Sequence, residues 1–536
     1  MKKILAVVLC LLMIVAVLGG CSKTPATSSD AGTSSGTTST DDSSDALTAA
    51  EQAIADRKAS GENTKMVYSF YTWVGRPAGT DRIQAAVSAH TEEALGIEVE
   101  LLVMDAASYR QNIPLMFAGG EQVDTFMANG VGLMTAVNSE YIYDMYEDDL
   151  FDTYGSEIVT QLPEWALDGC VVGGKLVCLP PNKDIAIQAG LLAIGTQYLD
   201  GIGYDYASKF ADASEDYIDS SWEELEPIMA ELAAKYPDKY VFSSTQSYLG
   251  QGMSVDGLAG DNHGVLLDLD VAKVEDLWSS DVWMDVCKRF YKYNQLGYMP
   301  ADALTSSVTM GARVGAGECM SLLSQGKPGY RSQVSGECSM DTICFHVGET
   351  IVKSNACTNV AISINSATED PVAAMQMLAH FYTCETCANL MLWGEEGKDY
   401  KVEESGHIYF ADGVDYKNAE WYHTVNWSMP NQQIGKVWKG DTLDVWDRMK
   451  KFNNDAKRSI AFGFTWDNAD YAMEYTALAN VQDQYYKTLI LGFSNPETTI
   501  PEFVAELKKA GLDEYIAAKT DAFKAWCEDN GVAYAG

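Results

Sequence analysis

Met66-Val67-Tyr68-Ser69-Phe70-Tyr71, Ile97-Glu98-Val99-Glu100-Leu101-Leu102-Val103 and Asp124-Thr125-Phe126-Met127-Ala128 are three apolar runs of strand length. Between the first two lies Asp81 to Leu95, which reads as a helix with Ile83, Val87 and Leu95 on one side and Gly96 at its stop. Between the second and third lies Ser108 to Ala118, a helix that Pro114 should kink and that Gly119-Gly120 ends. The order β-α-β-α-β predicts a parallel sheet with right-handed crossovers. Ligands of such open sheets sit beyond the carboxyl ends of the strands, which here means Tyr71 to Arg76 and Met127 to Gly130.

Upstream of this unit the composition changes twice. Met1-Lys2-Lys3, the apolar stretch Ile4 to Leu18 and the small residues Leu18-Gly19-Gly20 ahead of Cys21 read as a lipoprotein signal peptide over residues 1–20. The mature chain is then expected to begin at a lipidated Cys21, whose two or three acyl chains suffice to hold it on a membrane. Residues 22–46 are nearly all Ser, Thr, Gly, Ala and Asp, a composition with too little apolar surface to offset chain entropy. The flexible tether is taken to run from Cys21 to residue 63, just ahead of the first strand.

From Leu47 onward about 490 residues remain, enough for two or three domains with substantial cores. The net charge of −39 argues against nucleic acid and against an anionic membrane surface as partners, because both require a basic footprint. No run of eighteen apolar residues follows residue 20. Besides Cys10 and Cys21 the chain holds Cys170, Cys178, Cys287, Cys319, Cys338, Cys344, Cys357, Cys384, Cys387 and Cys527, scattered in a way that does not suggest a disulfide framework. Cys170 with Cys178, and Cys338 with Cys344, are close enough in sequence to be bridged, a matter for geometry. Cys384-Glu385-Thr386-Cys387 lies near the end of a helical run beginning at Val372, where a spacing of three puts both sulfurs on one face. It has neither the strand-to-helix setting of a redox site nor a second ligand pair for zinc, so packing is the favoured reading. No cofactor and no metal are expected.

Several segments, in order, resemble the family 1 extracellular solute-binding proteins, the lipoprotein receptors of ABC importers. Tyr109 through Asp124 is similar to the family's helix, small-Gly turn and Asp. Gly173-Gly174-Lys175-Leu176-Val177-Cys178-Leu179-Pro180 resembles its Gly-Lys-aromatic-x-x-Pro stretch, with Val177 in place of the usual tyrosine. Asn365-Ser366-Ala367-Thr368 and the 371–391 helix are similar to its strand, Ser-rich turn and long helix. Leu390 to Tyr400, Ala477 to Val481 and Pro501 to Asp513 resemble the LipO-like branch with its distinctive C-terminal domain.

The resemblance implies a two-lobed, periplasmic-binding-protein-like α/β fold with discontinuous domains and a ligand cleft between the lobes. Residues 64–180 with 354–425 would form lobe 1, and 181–353 with 426–536 lobe 2, with hinge crossings near 180 and 353. It also implies delivery of a small-molecule ligand, commonly an oligosaccharide, to ABC permease subunits; the ATPase must be a separate cytoplasmic polypeptide, since this chain has no Gly-x-x-x-x-Gly-Lys-Ser/Thr loop. A pyranose offers a flat C–H face to aromatic rings and a rim of hydroxyls to charged and amide groups, and the chain holds 12 Trp and 29 Tyr to meet the first need. By order along the family pattern the cleft positions are Trp73, Arg76, Asn129, Asp184, Tyr248, Lys327 and Trp466, the two tryptophans stacking and the rest bonding the rim.

Two alternatives share these features. A receptor for peptides or other polar solutes would capture chain termini with an Asp and an Arg. A surface-tethered glycoside hydrolase would need two carboxylates across a cleft, one with raised pKa. The chain has no Gly-x-Ser-x-Gly elbow and no His-Glu-x-x-His helix, so the reading is a non-enzyme. The adjacent Glu395 and Glu396 point apart on most backbones and read as surface charge.

Overall fold

The computed structural model describes residues 47–536 apart from Val74, 211–215, 244–250, Lys417 and 422–425. The signal peptide, Cys21 and the low-complexity run lie outside the described residues, as does Tyr248. Leu47–Gly536 forms one compact unit. Among its described residues no helix is long and apolar enough to cross a membrane.

The first lobe grows from the β-α-β-α-β repeat over residues 66–128. Helix α1 (Ala49–Ala59) precedes strand β1 (Thr64–Thr72), helix α2 (Thr80–Leu95), strand β2 (Ile97–Asp105), helix α3 (Ala106–Gly119) and strand β3 (Thr125–Met127). β1 pairs in parallel with both β2 and β3, as the repeat predicts. A late strand, β4 (Ile362–Ile364), adds antiparallel to β3, giving the order β4-β3-β1-β2. β1 is buried from Met66 to Thr72, whereas edge strand β2 alternates buried Ile97, Val99 and Leu101 with more exposed neighbours. α2 stops at Gly96 and α3 at Gly120, both left-handed, and α3 runs through Pro114 without a break.

Residues 49–59 correct the expected extent of the tether. Thr48 and Glu51 form a capping box, and the Arg57 guanidinium, nearly buried, donates to Leu95 O at 3.0 Å and to Gln376 Oε1 at 3.0 Å. Gln376 in turn donates to Ala50 O at 2.8 Å. The body therefore begins at about Leu47, because a cap and a buried cation outweigh the polar composition of the segment.

The 371–391 helix is also not continuous. It is α4 (Pro371–Thr383) followed by α5 (Glu385–Trp393), with Cys384 between them in extended conformation. That break removes the single helical face on which Cys384 and Cys387 were expected to sit together: Cys387 is buried in the lobe 1 core, and Cys384 is half-exposed. All ten described cysteines are free thiols, so neither Cys170 with Cys178 nor Cys338 with Cys344 is bridged.

The second lobe is a mixed sheet around Ile187–Gly195, flanked antiparallel by Cys319–Gly326 and Thr342–His346. Tyr217–Asp219, Tyr240–Phe242, Thr350–Val352 and Lys457–Arg458 complete it. The register slips between Gln188 and Leu191, where Gly190 has φ +70° and a Cβ would meet Gly252 Cα at 2.6 Å. The helices Ala472–Ile490, Pro496–Lys509 and Leu512–Asp529 close over this lobe's core through Leu489, Phe503 and Tyr515.

Core membership places the crossings between lobes. Ala186 packs in the lobe 1 core and Ala189 in that of lobe 2, while Ile351 belongs to lobe 2 and Val352 to lobe 1. A third crossing precedes Lys457–Arg458, which pairs with Thr350–Val352. Residues 426–440 therefore differ from their expected assignment to lobe 2: Met429 is in the lobe 1 core, and Trp427, Ile434 and Trp438 pack against it.

Buried amides hold the first crossing. Asn453, on helix α6 (Val445–Asp455), accepts from Ile185 N and Ala186 N at 3.0 Å each and donates to Lys183 O at 2.7 Å. Asn182 donates to Asn431 Oδ1 at 3.0 Å. At the second crossing, Ser354 donates to Asp256 from both its N–H (2.7 Å) and its hydroxyl (2.8 Å).

Candidate ligand-binding cleft

A trough of about 310 Å³ lies where the two lobes meet. Lobe 2 contributes the turn after Cys319–Gly326, with Lys327, Gly329, Ser332 and Gln333; lobe 1 contributes Trp393 at the end of α5, with Tyr416, Trp427 and Trp438; α6 contributes Trp446. Four tryptophans around one hollow are an expensive use of aromatic surface unless a flat apolar ligand face is to be met. Trp393 and Trp438 lie 5.9 Å apart, and the Trp446 indole N–H donates to Gly435 O at 2.7 Å, fixing its ring.

The trough continues at both ends. Through Ser332, Tyr416, Trp438 and Asp441 it joins a hollow of about 600 Å³ lined by Asp216, Arg331, Lys439 and Arg448. Through Lys327 and Gln333 it joins a smaller one of about 180 Å³ that reaches Asp184 and Tyr330. Aromatic walls with charged, amide and hydroxyl groups along the length suit an extended polyhydroxylated ligand better than a single ring.

The charges in it are paired. Lys327 lies 3.4 Å from Asp184, which Lys183 also approaches at 3.4 Å. Burial works to raise the Asp184 pKa, but the two lysines outweigh it and hold the carboxyl below its ordinary value. Arg448 pairs with Asp216, which also accepts from Gly329 N at 3.0 Å. Burial, with Asp216 beside it, pushes the Asp441 carboxyl up to about 7 against the pull of Arg448, Lys327 and the Ser332 hydroxyl. At neutral pH it can therefore both donate and accept hydrogen bonds along the trough.

The predicted residues divide into three groups. Trp73 and Asn129 come together beside the trough: Trp73 is 71% exposed and stacks on Trp427 at 5.4 Å and 18°, and Asn129 donates to the Tyr71 hydroxyl at 3.0 Å, under both indoles. Gly130 keeps this corner tight, since a Cβ there would lie 2.8 Å from the Tyr109 ring. Asp184 and Lys327 form the ion pair just described. Arg76 and Trp466 sit elsewhere. Arg76 faces Asp81 at 2.5 Å on the surface. Trp466 packs edge-on against Tyr515 at 5.0 Å with the Lys519 ammonium 5.4 Å over its ring. Its neighbour Asp467 accepts from Asn138 of lobe 1 at 2.6 Å, so the segment borders the interlobe seam while the ring itself is engaged within lobe 2.

Sequence reasoning passed over Trp393, Trp427, Trp438, Trp446 and Asp441. A signal was present: Trp421, Trp427, Trp438 and Trp446 place four of the chain's 12 tryptophans within one short region. The adjacent Glu395 is structural: it pairs with Arg82 at 2.6 Å and Lys398 at 2.9 Å, and Arg82 also grips Asp399 at 2.7 and 2.8 Å.

Comparison with known proteins places this geometry in a class. The chain has the two-lobed fold of the extracellular solute-binding proteins and ends in a domain of its own kind, residues 460–528 matching the family model described as a domain of unknown function, DUF3502. A carbohydrate ABC transporter substrate-binding protein of Streptococcus pneumoniae is 24% identical over 467 residues, covering 86% of this chain and 90% of that protein. The structure of an N-glycan transport solute binding protein, NgtS, from Streptococcus pneumoniae superposes with a TM-score of 0.74 at 20% identity, over 87% of this chain and 100% of the other. Its complex with Man5GlcNAc gives 0.65 at 21% identity, over 87% and 99%. The resemblance to extracellular solute-binding proteins stated from the sequence is thus borne out for the chain as a whole.

Proposed function

We propose that this protein is the solute-binding receptor of an ABC importer, and that it takes an oligosaccharide, of the mannose and N-acetylglucosamine type named for NgtS, along the trough between its lobes. The observation that carries this is the tryptophan-lined trough itself, with a stacked Trp73–Trp427 pair at its edge and paired charges at both ends. Trp427, Trp438, Trp446 and Trp73 present faces to pyranose rings; Asn129, the Asp184–Lys327 pair and Asp441 bond the hydroxyl rim. Trp466 and Arg76 are assigned supporting positions away from the sugar.

Closure of the lobes at the amide-lined crossings near Asn182 and Ser354 would present a liganded form to the permease, and a separate cytoplasmic ATPase would supply the energy. The body works outside the cytoplasm, held by a lipid on Cys21, and performs no chemistry on its cargo.

Calorimetric titration of the body with Man5GlcNAc, other oligosaccharides and short peptides tests the reading. Saturating glycan at about 100 times its dissociation constant should add roughly 2.7 kcal/mol of stability, with the glycan recovered intact. Binding of peptides alone, or release of a shorter glycan, would replace this proposal with the peptide receptor or the hydrolase. For the anchor, Cys21→Ser should release the chain from cells into the medium; continued membrane association would contradict a lipid at that residue.

A further inference from the structure

Far from the trough, lobe 1 brings two imidazoles and a thiol together. His90 lies ten residues into α2 from Thr80, about 15 Å along the helix. His380 occupies the last turn of α4, and Cys384 is the extended residue between α4 and α5. His90 Nε2 and Cys384 Sγ are 3.2 Å apart, the two imidazole centroids 5.2 Å, and one ligand atom from each of the three residues falls within 4.8 Å of the others.

Three further observations point to a ligand. Among the ten described cysteines Cys384 alone is not buried, so it is the one an ion can reach from solvent. The backbone breaks from helix at this residue without its side chain capping α5, which leaves the sulfur turned toward α2. An S–H···N bond would satisfy Cys384 and His90, yet it leaves His380 Nε2, shielded from solvent, with no hydrogen-bond partner among the described residues.

From this juxtaposition we infer that His90, His380 and Cys384 form a transition-metal site, zinc being the cation best matched to two nitrogens and one sulfur. Tetrahedral zinc with Zn–N of about 2.0–2.1 Å and Zn–S of about 2.3 Å holds neighbouring ligand atoms roughly 3.3–3.7 Å apart, so side-chain rotation of about 1 Å closes the set. The Cys384 thiol gives its proton to solvent as the Zn–S bond forms, and the fourth position is left to water. Such an ion ties α2 to the α4–α5 junction. It acts on the stability of lobe 1, and glycan affinity is unaffected by it.

The test uses the compact unit Leu47–Gly536, reduced, stripped with chelator and titrated with cobalt(II), then zinc(II). The expected result is one equivalent of cobalt with a thiolate-to-metal charge-transfer band, bleached by one equivalent of zinc, and a higher Tm with zinc bound. Cys384→Ser should abolish the band, and His380→Ala should weaken zinc by at least ~100-fold, since loss of even an outer-sphere partner costs 10–100-fold. Cys527→Ser should leave the spectrum unchanged. Wild-type protein with no thiolate band, or a band that survives both Cys384→Ser and His380→Ala, would overturn the site. The wild-type spectrum is decisive even if a variant misfolds.

Discussion

Trp427, Trp438 and Trp446 at the trough and Trp466 in the C-terminal domain are all half-buried, yet they face different surroundings. Trp427, Trp438 and Trp446 line the interlobe trough, with polar groups spaced along it, and the exposed Trp73 stacks on Trp427 at its edge. Trp466, in the C-terminal domain, is packed against Tyr515 and Tyr471 and lies beneath Lys519. Lys519 is itself fully buried, donating to Asp261 at 2.5 Å, to Gly264 O at 3.2 Å and to Leu258 O at 3.4 Å. Exposure alone does not separate them, since Trp466 is as half-buried as Trp427, Trp438 and Trp446; what differs is the surroundings, a hollow lined from both lobes in one case and the aromatic rings and ammonium of its own lobe in the other.

The sharpest way to separate the two regions is to break the buried ion pair beneath Trp466. Lys519→Met leaves Asp261 without its cation in a buried setting and should cost about 3–5 kcal/mol of stability by chemical denaturation. Glycan affinity of the folded fraction should be unchanged; a loss of affinity matching the loss of stability would merge the two regions into one.

Asp441 gives the next largest effect, and it depends on pH. Because its folded pKa is raised to about 7 from an ordinary 3.8, its neutral form favours folding at low pH, and that contribution is lost as pH rises toward 7. Asp441→Asn should therefore stabilise the ligand-free body on the order of 4 kcal/mol at pH 8 and by about 1.5 kcal/mol at pH 5. Equal shifts in unfolding midpoint at the two pH values would remove the burial argument.

Within the trough the prediction is graded by exposure. Trp427→Ala should weaken glycan binding by about 2 kcal/mol, near 30-fold, and Trp73→Ala by about 1 kcal/mol, near 5-fold. Neither should change stability as much as Trp466→Ala, for which truncating a packed tryptophan sets about 3 kcal/mol or more. Arg76→Ala should do neither, staying within about 0.5 kcal/mol in both assays. A large binding loss from Arg76→Ala would move the cleft toward the α2 start.

Much of the fold was legible because its signals are local. The strand-helix repeat over 66–128 follows from apolar spacing and from Gly96 and Gly120, whose left-handed conformations end their helices. Ala477 to Val481 and Pro501 to Asp513, named only for their resemblance to a distinctive C-terminal domain, lie in the three C-terminal helices. The errors came where distant residues intervene. α1 is fastened by Arg57 to Leu95 and Gln376, and no pattern within 47–63 reveals a partner 319 positions away. Residues 426–440 stay with lobe 1 because Met429 and Trp427 find its core, although the expected boundary fell just ahead of them and grouped them with the following segment in lobe 2.

The candidate site shows the same division. Trp73 and Asn129 were named by order along the family pattern, after the first and third strands, and the structure brings them together beside the trough, whereas Arg76 from the same strand end faces Asp81 instead. Lys327 and Asp184 could be named, but their pairing across 143 positions is a product of the crossing at 182–186. What the sequence by itself determined is the alternation of elements, the family pattern and the supply of aromatic and acidic residues. Only the tertiary structure decided which tryptophans line the trough and which carboxyl is raised by its surroundings, and it alone brings His90 beside Cys384. Each of these outcomes is set by burial and distance, and both arise only when segments far apart in the chain are packed against one another.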